Sequence, residues 1–182
     1  MAKRMFVALD LPEPITVALA GLAPPLAGLR WLPVSQLHLT LVFLAAVPPE
    51  QEGRLIEALA EIREPPFSLT LKDLGRFDRN RQPAVIWVGV ECGSPVLLGL
   101  RRRVLDAALA AGLTPDHKPF HPHVTVGRCR EVGKAALRRL LGRHAGSDFG
   151  TFEVSGFTLY ASVLHPHGPE HQAVFRRALD GG

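Results

Sequence analysis

A pattern of histidine, aliphatic residue, threonine and aliphatic residue occurs twice in the chain, as His38-Leu39-Thr40-Leu41 and as His123-Val124-Thr125-Val126. Each copy lies in a run of residues that is typical of a buried strand. Because side chains alternate between the two faces of a strand, the histidine and the threonine share one face. Two copies that face each other would form a cleft with two imidazoles and two hydroxyls on an apolar backing.

Two imidazoles on either side of a phosphate can carry out acid–base catalysis, because one takes a proton from water while the other gives one to the leaving oxygen. Histidine suits both roles, since its unperturbed pKa is about 6.5. The hydroxyls of Thr40 and Thr125 can bind non-bridging phosphate oxygens, where charge develops. His38 and His123 are therefore the candidate catalytic residues, and this chemistry requires no metal and no cofactor.

Other interpretations of the histidines stay open. Each copy alone could be a buried, hydrogen-bonded histidine beside a threonine that favours strands. A zinc site is the alternative for one cluster, formed by His117, His121 and His123. A surface turn is expected for the other cluster, formed by His165, His167 and His171. The sequence has no Gly-x-Ser-x-Gly elbow and no glycine-rich phosphate loop, so serine-nucleophile and nucleotide-loop chemistry have no support.

The composition indicates a globular protein of 182 residues, with 47% hydrophobic and 21% charged residues, and we expect one domain over 1–182. The net charge is +4, with 17 Arg against 4 Lys, which suits an anionic ligand or a nucleic acid. No apolar run approaches the roughly 18 residues of a membrane span, and residues 1–10 resemble a strand more than a signal peptide. We therefore expect a cytoplasmic protein. Cys92 and Cys129 form no metal or disulfide framework.

The remaining patterns predict alternating strands and helices. Strands are predicted over residues 4–10, 37–44, 67–71, 84–90, 123–129, 151–155, 157–164 and 172–179. Helices are predicted over 14–26, 48–63, 94–111 and 134–141, and a polar loop over 75–83. Pro24 and Pro25 are expected to end the first helix earlier than its apolar pattern suggests. Several strand pairs lack a helical crossover, which favours an antiparallel α+β fold over a doubly wound one. Each motif strand is followed by a helix and then by two strands, so the order indicates a duplicated architecture.

Four stretches of the sequence carry a family resemblance: residues 4–9 (RMFVAL), 37–44 (LHLTLVFL), 120–128 (FHPHVTVGR) and 157–162 (FTLYAS). The chain resembles the two-histidine (2H) phosphoesterase superfamily, and within it the bacterial and archaeal RNA 2′,3′-cyclic phosphodiesterases, long called 2′-5′ RNA ligases. The stretches follow the family's order over nearly the whole chain. One departure is that family members often have tyrosine after the final turn, where this chain reads Gly168-Pro169-Glu170-His171.

The resemblance implies a single bilobal α+β domain, in which two antiparallel sheets with outer helices surround a central groove with pseudo-two-fold symmetry. It implies metal-independent hydrolysis of an RNA terminal 2′,3′-cyclic phosphate to a 2′-phosphate. His38 would donate the proton to the 3′ leaving oxygen and His123 would activate water, while Thr40 and Thr125 would hold the phosphate. The implied partner is RNA with such an end, tRNA fragments being one candidate. We expect a monomer that needs no cofactor and no membrane.

Arg128 is a further candidate for binding the substrate, because the family pattern ends in arginine at this position and a cyclic phosphate is an anion. In a regular strand Arg128 would point away from the face of His123, but Gly127 would permit a bulge that turns it back. Alternative functions are a 2H-type enzyme that acts on another cyclic phosphate, 2′-5′ ligation of tRNA halves, or an RNA- or nucleotide-binding module without turnover.

Overall fold

The computed structural model of the protein describes residues 1–22, 24–91, 94–116, 118–165 and 168–180. Within these ranges strands and helices interleave along the chain. Their order is β1 (Lys3–Asp10), α1 (Glu13–Ala20), β2 (Leu29–Trp31), a 3₁₀ turn (Val34–Gln36), β3 (His38–Val47), α2 (Pro49–Ala60), β4 (Phe67–Arg79), β5 (Gln82–Val90), α3 (Pro95–Ala110), β6 (His123–Cys129), α4 (Lys134–Arg143), β7 (Asp148–Val154), β8 (Gly156–His165) and β9 (Gly168–Ala178).

The strands form two antiparallel halves, each with one motif strand at its inner edge. One half has the strand order β3-β1-β8-β9, and the other has the order β6-β5-β4-β7. The short strand β2 pairs with β6 and lies off this path. The predicted α+β class, the two antiparallel halves and the duplicated architecture are therefore confirmed.

The two halves meet at one residue pair, Leu39 on β3 and Val124 on β6. Through this contact the two predicted antiparallel sheets are continuous as one nine-stranded sheet over the described residues. Leu39 and Val124 are the central aliphatic residues of the two motifs, and both are fully buried. Since neighbouring side chains point to the opposite face, the pairing places both histidine–threonine pairs together on the other side of the sheet.

Helices cover the face of the sheet that carries the aliphatic motif residues. Helix α3 packs against β3 and α2, and the guanidinium Nε of Arg101 on α3 donates a hydrogen bond to the carbonyl of Leu41 at 3.2 Å. Leu41 and Val126 are 3% and 2% exposed, so this face of both motif strands belongs to the core. Burying these side chains fixes which face of β3 and β6 stays free for the polar residues.

Helix starts follow the predicted signals, whereas one helix end differs. Three helices begin with proline in the first turn, and the Ser94 hydroxyl caps α3 by accepting the Leu97 N–H at 3.2 Å. Helix α1 ends at Ala20, before residue 26 as Pro24 and Pro25 predicted, and α2 ends at Ala60 and not near residue 63. Prolines follow both ends and cannot continue a helix. Within the described ranges, no helix is long and apolar enough to cross a membrane.

The predicted polar loop over 75–83 was wrong, because β4 and β5 form one long hairpin. Strand β4 continues to Arg79 and β5 starts at Gln82, which leaves a two-residue turn. Asn80 and Arg81 have φ of 51° and 62°, the left-handed backbone that such turns require. The extended hairpin brings Phe77 opposite Val85, close to the second motif strand.

Candidate active site

A cavity of about 420 Å³ opens over the meeting point of β3 and β6. All five residues that the sequence singled out line it: His38, Thr40, His123, Thr125 and Arg128. Because β3 and β6 are antiparallel about Leu39 and Val124, the imidazole of each motif lies beside the hydroxyl of the other. The cavity thus contains two imidazoles, two hydroxyls and a guanidinium, while the roles of these groups remain predictions.

Both motif histidines are oriented by backbone carbonyls two residues earlier in the chain. Nδ1 of His123 lies 2.6 Å from the carbonyl oxygen of His121, and His38 has a backbone hydrogen bond with Gln36. A carbonyl only accepts, so Nδ1 of His123 carries the hydrogen in this bond. This bond leaves Nε2 of His123 free to exchange a proton with a ligand.

Burial favours the neutral form of both imidazoles. It is the largest cause that lowers the pKa of His38 from 6.5 to about 4, followed by the nearby charge of His171. Burial also lowers the pKa of His123, while its hydrogen bond to the His121 carbonyl opposes the shift. In the unliganded protein near neutral pH both rings are therefore uncharged, and an anion between them would favour protonation of one.

Aromatic side chains pack against each motif histidine. His38 stacks on Phe6 with ring centroids 4.8 Å apart, and Phe6 in turn stacks on Tyr160 at 5.3 Å. His123 meets the edge of Phe77 at 4.9 Å, with the ring planes at 86°. These ring contacts limit the rotamers that the two imidazoles can adopt.

A carboxylate lies behind His38. Asp10 is paired with His38 across β1 and β3, and its two oxygens accept hydrogen bonds from the hydroxyls of Thr158, at 2.7 Å, and of Tyr160. Desolvation and this hydrogen bond raise the pKa of Tyr160 to about 12, so its hydroxyl keeps the proton and remains a donor. These bonds hold Asp10 in place beneath the first motif.

The same β-bulge follows the threonine in both motif strands. On β6 the register slips between Thr125 and Gly127, and on β3 it slips between Thr40 and Val42. Each slip inserts one extra residue, so the alternation of faces reverses beyond it. Arg128 therefore returns to the cavity side, as the bulge inferred from Gly127 required.

The corresponding position on β3, five residues after His38, is occupied by Phe43, which also lines the cavity. The two halves thus differ here, with an aromatic ring in one and a guanidinium in the other. The guanidinium of Arg4 lies over the Phe43 ring, 5.4 Å from its centroid. Both residues lie in stretches that carry the family resemblance, but no role was predicted for either. The alternation of faces along β1 would have indicated Arg4, and the equivalence of the two motifs would have indicated Phe43.

His171 also lies in the cavity wall, and its expected place in a surface turn was wrong. Strand β9 continues past the turn and pairs His171 with Ser162, which directs its imidazole to the edge of His38 with centroids 5.3 Å apart. His171 follows the turn closely in the sequence, and for this reason its position in the cavity wall was not predicted. His165 agrees better with the prediction, because it is half-exposed and its Nε2 lies 3.1 Å from the Glu170 carboxylate. His167 lies outside the described residues.

The zinc alternative rested on three histidines, of which His117 lies outside the described residues. His121 and His123 have ring centroids 6.2 Å apart, and His121 packs against Trp87 at 4.6 Å. Over the part of the chain that the structure describes, no three His, Cys, Asp or Glu side chains are grouped as a metal site would require. Of the two cysteines, Cys129 is a free thiol and Cys92 lies outside the described residues.

Comparison with known proteins agrees with the geometry. The sequence pattern of the 2′-5′ RNA ligase superfamily matches residues 12–167. A protein of Escherichia coli K12 named RNA 2′,3′-cyclic phosphodiesterase is 35% identical over 164 residues, which cover 88% of this chain and 87% of that protein. An Archaeoglobus fulgidus protein of the same name is 31% identical over 173 residues, covering 91% and 94%.

Solved structures show the same similarity. E. coli LigT complexed with 3′-AMP has a TM-score of 0.81 and 33% identity, covering 98% of this chain and 99% of that chain. A Thermus thermophilus protein has a TM-score of 0.78 and 30% identity, covering 97% of both chains. The resemblance inferred from the two motifs is confirmed, and the chain belongs to the 2′-5′ RNA ligase superfamily.

Proposed function

We propose that this protein is a hydrolase that opens the 2′,3′-cyclic phosphate at the end of an RNA to give a 2′-phosphate. The observation that carries the proposal is the cavity in which two imidazoles and two hydroxyls from equivalent strands face one site. Relatives that match over most of their length are named RNA 2′,3′-cyclic phosphodiesterase, which supports the same substrate class for this chain.

The proposed reaction is an in-line attack of water on the cyclic phosphorus. Nε2 of one imidazole takes a proton from the water as the new P–O bond forms. The P–O3′ bond breaks, and the other imidazole gives its proton to O3′, which leaves a 3′-hydroxyl and a 2′-phosphate. We propose His123 as the base and His38 as the acid. A lowered pKa makes a protonated His38 a strong acid, and the substrate's negative charge favours the protonated form.

The phosphate oxygens need donors because charge on the two non-bridging oxygens grows in the transition state. Thr40 and Thr125 line the cavity beside the opposite motif's histidine, where their hydroxyls can donate to one oxygen each. Arg128, brought to this side by the bulge, supplies a cation with two parallel N–H groups. Since two imidazoles transfer the protons, no metal is needed for any step.

The proposal is tested with nucleoside 2′,3′-cyclic phosphates as substrates. We expect conversion to the nucleoside 2′-phosphate, distinguished from the 3′-phosphate by ³¹P NMR, and equal rates with and without EDTA. A His38→Ala preparation serves as the control for a contaminating phosphodiesterase. Loss of turnover with EDTA and recovery with zinc would contradict the metal-free mechanism. Formation of 2′-5′-joined RNA without hydrolysis would favour the ligation alternative.

We also propose that residues 1–182 form a single domain, in which both halves share a continuous hydrophobic core. The cytoplasmic location, the monomeric state and the preference for tRNA fragments remain predictions. Analytical ultracentrifugation tests the oligomeric state, for which we expect a mass close to 19.8 kDa.

A further inference from the structure

Three aromatic rings that transfer no proton and bind no phosphate in the proposed reaction lie together next to the cavity. They are Phe77 on β4, Trp87 on β5 and His121 just before β6, and none of them lines the cavity. Trp87 is directly opposite Thr125 across β5 and β6, so its side chain is on the cavity side of the sheet. Phe77 meets the edge of His123 with ring centroids 4.9 Å apart. We refer to Phe77, Trp87 and His121 as the aromatic surface.

The rings of the aromatic surface contact one another and are partly exposed. His121 packs on Trp87 at 4.6 Å and on Phe77 at 5.4 Å, and the last two rings are 5.3 Å apart. His121 is exposed, whereas Phe77 and Trp87 are half-buried. The indole packs against the backbone of Gly75, where an added Cβ would come within 2.3 Å of the ring. The glycine therefore lets the indole lie against the sheet.

The indole N–H of Trp87 is buried and has no hydrogen-bond partner among the described residues. Buried indole N–H groups usually find a partner, and leaving one unpaired costs stability. Packing alone therefore does not explain a tryptophan at this position, whereas a partly exposed ring face that stacks on a ligand would explain it.

Positive charge lies along the same hairpin. The hairpin tip, residues 76–81, has three arginines and one aspartate. Arg76 forms an ion pair with Asp78 at 3.1 Å, whereas Arg79 is exposed and forms no ion pair within the described ranges. Side chains alternate along β4, so Arg79 is on the same face as Phe77, two residues earlier. The aromatic surface therefore continues into an unpaired cation at the tip.

An RNA strand fits this combination of rings and charge. Proteins bind single strands by stacking bases on aromatic side chains while basic side chains follow the phosphates. The cavity of about 420 Å³ is toward the lower end of the range for small-molecule sites, so an RNA must continue outside it beyond its terminal nucleotide. A duplex fits less well, because its bases are stacked on one another and present no free face to a ring.

We propose that the unpaired RNA strand that precedes the cyclic phosphate runs over the aromatic surface. One of its bases stacks on His121 and Phe77, and its phosphate backbone meets Arg79 at the hairpin tip. The cavity then holds the end of the strand while the hairpin holds the part before it. That this strand is the substrate rests on the proposed function, whereas its binding is measured without turnover.

The test is the affinity of the full-length protein for a short single-stranded oligoribonucleotide that ends in a 2′-phosphate, labelled at its 5′ end and followed by fluorescence anisotropy. H121A should raise Kd roughly 5- to 10-fold, because one stacking ring is lost. H121F keeps a ring and should restore the wild-type Kd. The His121 carbonyl that orients His123 belongs to the backbone and is kept in both variants. H144A is the matched control, since His144 lies beside Phe149 at 6.2 Å, outside the cavity lining, and its loss should leave Kd unchanged.

The contact of Arg79 with the phosphates is tested by the dependence of Kd on salt. Each phosphate contact to a single strand contributes about 0.7 to the slope of log Kd against log salt concentration, so R79Q should lower this slope by about 0.7. R54Q is the control for charge, because Arg54 is exposed on α2, which packs against α3 on the other face of the sheet. Its slope should equal that of the wild type.

Equal Kd values for wild type and H121A, or an H121F variant as weak as H121A, would overturn the proposal. A duplex of the same sequence should bind more weakly and should not respond to H121A; a duplex that binds equally well and loses as much would also overturn it. Self-association that H121A abolishes would assign the aromatic surface to a second copy of this chain instead. If H121A does not fold, the salt slope of R79Q tests the same path. Failure of the proposed function would remove turnover and leave these binding results standing.

Discussion

Replacing Arg128 tests whether the bulge in β6 has a role in binding the substrate. The register slip between Thr125 and Gly127 turns Arg128 into the cavity that contains both motif histidines. Hydrogen bonds to a charged group contribute roughly 1.5–3 kcal/mol each. Because Arg128 is exposed, we count its two-pronged contact as the net worth of one such bond. Since about 1.4 kcal/mol corresponds to a factor of ten, R128A should lower kcat/KM roughly 10- to 150-fold. R128K keeps the charge but loses the second parallel N–H, so its loss should be about 5- to 10-fold.

The assay is steady-state hydrolysis of a nucleoside 2′,3′-cyclic phosphate, which fills the cavity without a longer RNA chain. R30Q is the matched control, because Arg30 lies directly opposite Arg128 on β2, is exposed, and is not part of the cavity lining. It removes the same charge from nearly the same place, and we expect its kcat/KM to change less than about twofold. If R128A and R30Q had equal and small effects, Arg128 would be a surface residue and the proposed phosphate contact would be wrong.

The site and its packing support three more predictions. Because the pKa values of His38 and His123 are both lowered, and one ring must be neutral while the other is protonated, the bell-shaped kcat/KM profile should peak below pH 6.5. A peak near pH 8 would contradict the neutral state of both rings. Thr40→Val keeps the shape and removes a donor, so kcat/KM should fall roughly 10-fold or more; unchanged kinetics would exclude a phosphate contact. Gly75→Ala would place Cβ in steric overlap with the Trp87 ring. The substitution should lower the free energy of unfolding by about 1–3 kcal/mol. Calorimetry should then show a lower Tm, and an unchanged Tm would mean that the indole can move freely.

Much of the fold was predictable because the residue types in each motif define which face of the strand is polar and which is buried. The alternation in His38-Leu39-Thr40-Leu41 fixed the polar and buried faces of β3, and burial of Leu39 agrees with it. Strands and helices could be distinguished by the spacing of the apolar residues and by the positions of the prolines. The ends of helices and strands were predicted less accurately, since they depend on local turn geometry. The Asn80-Arg81 turn has two left-handed residues, neither of them glycine, and composition alone indicated a loop.

The parts that were not predictable depend on register between distant strands. The pairing of Leu39 with Val124 determines that the two motifs meet, and residues 85 apart in sequence carry no local signal for it. The bulge after Thr40 has no glycine, so Phe43 was not expected in the cavity. His171 reaches the cavity only because β9 pairs with β8 beyond the turn, which brings it opposite Ser162.

The central claim is that His38 and His123 act together as one acid–base pair, and its most direct test is the turnover of three variants. H38A, H123A and the double variant are compared with the wild type on one nucleoside 2′,3′-cyclic phosphate, with folding checked by circular dichroism. We predict that each single change lowers kcat roughly 100-fold or more. The double variant should be little slower than the slower single variant, because the two groups act as a unit. Full activity in either single variant, or single losses that multiply in the double variant, would contradict the two-histidine mechanism.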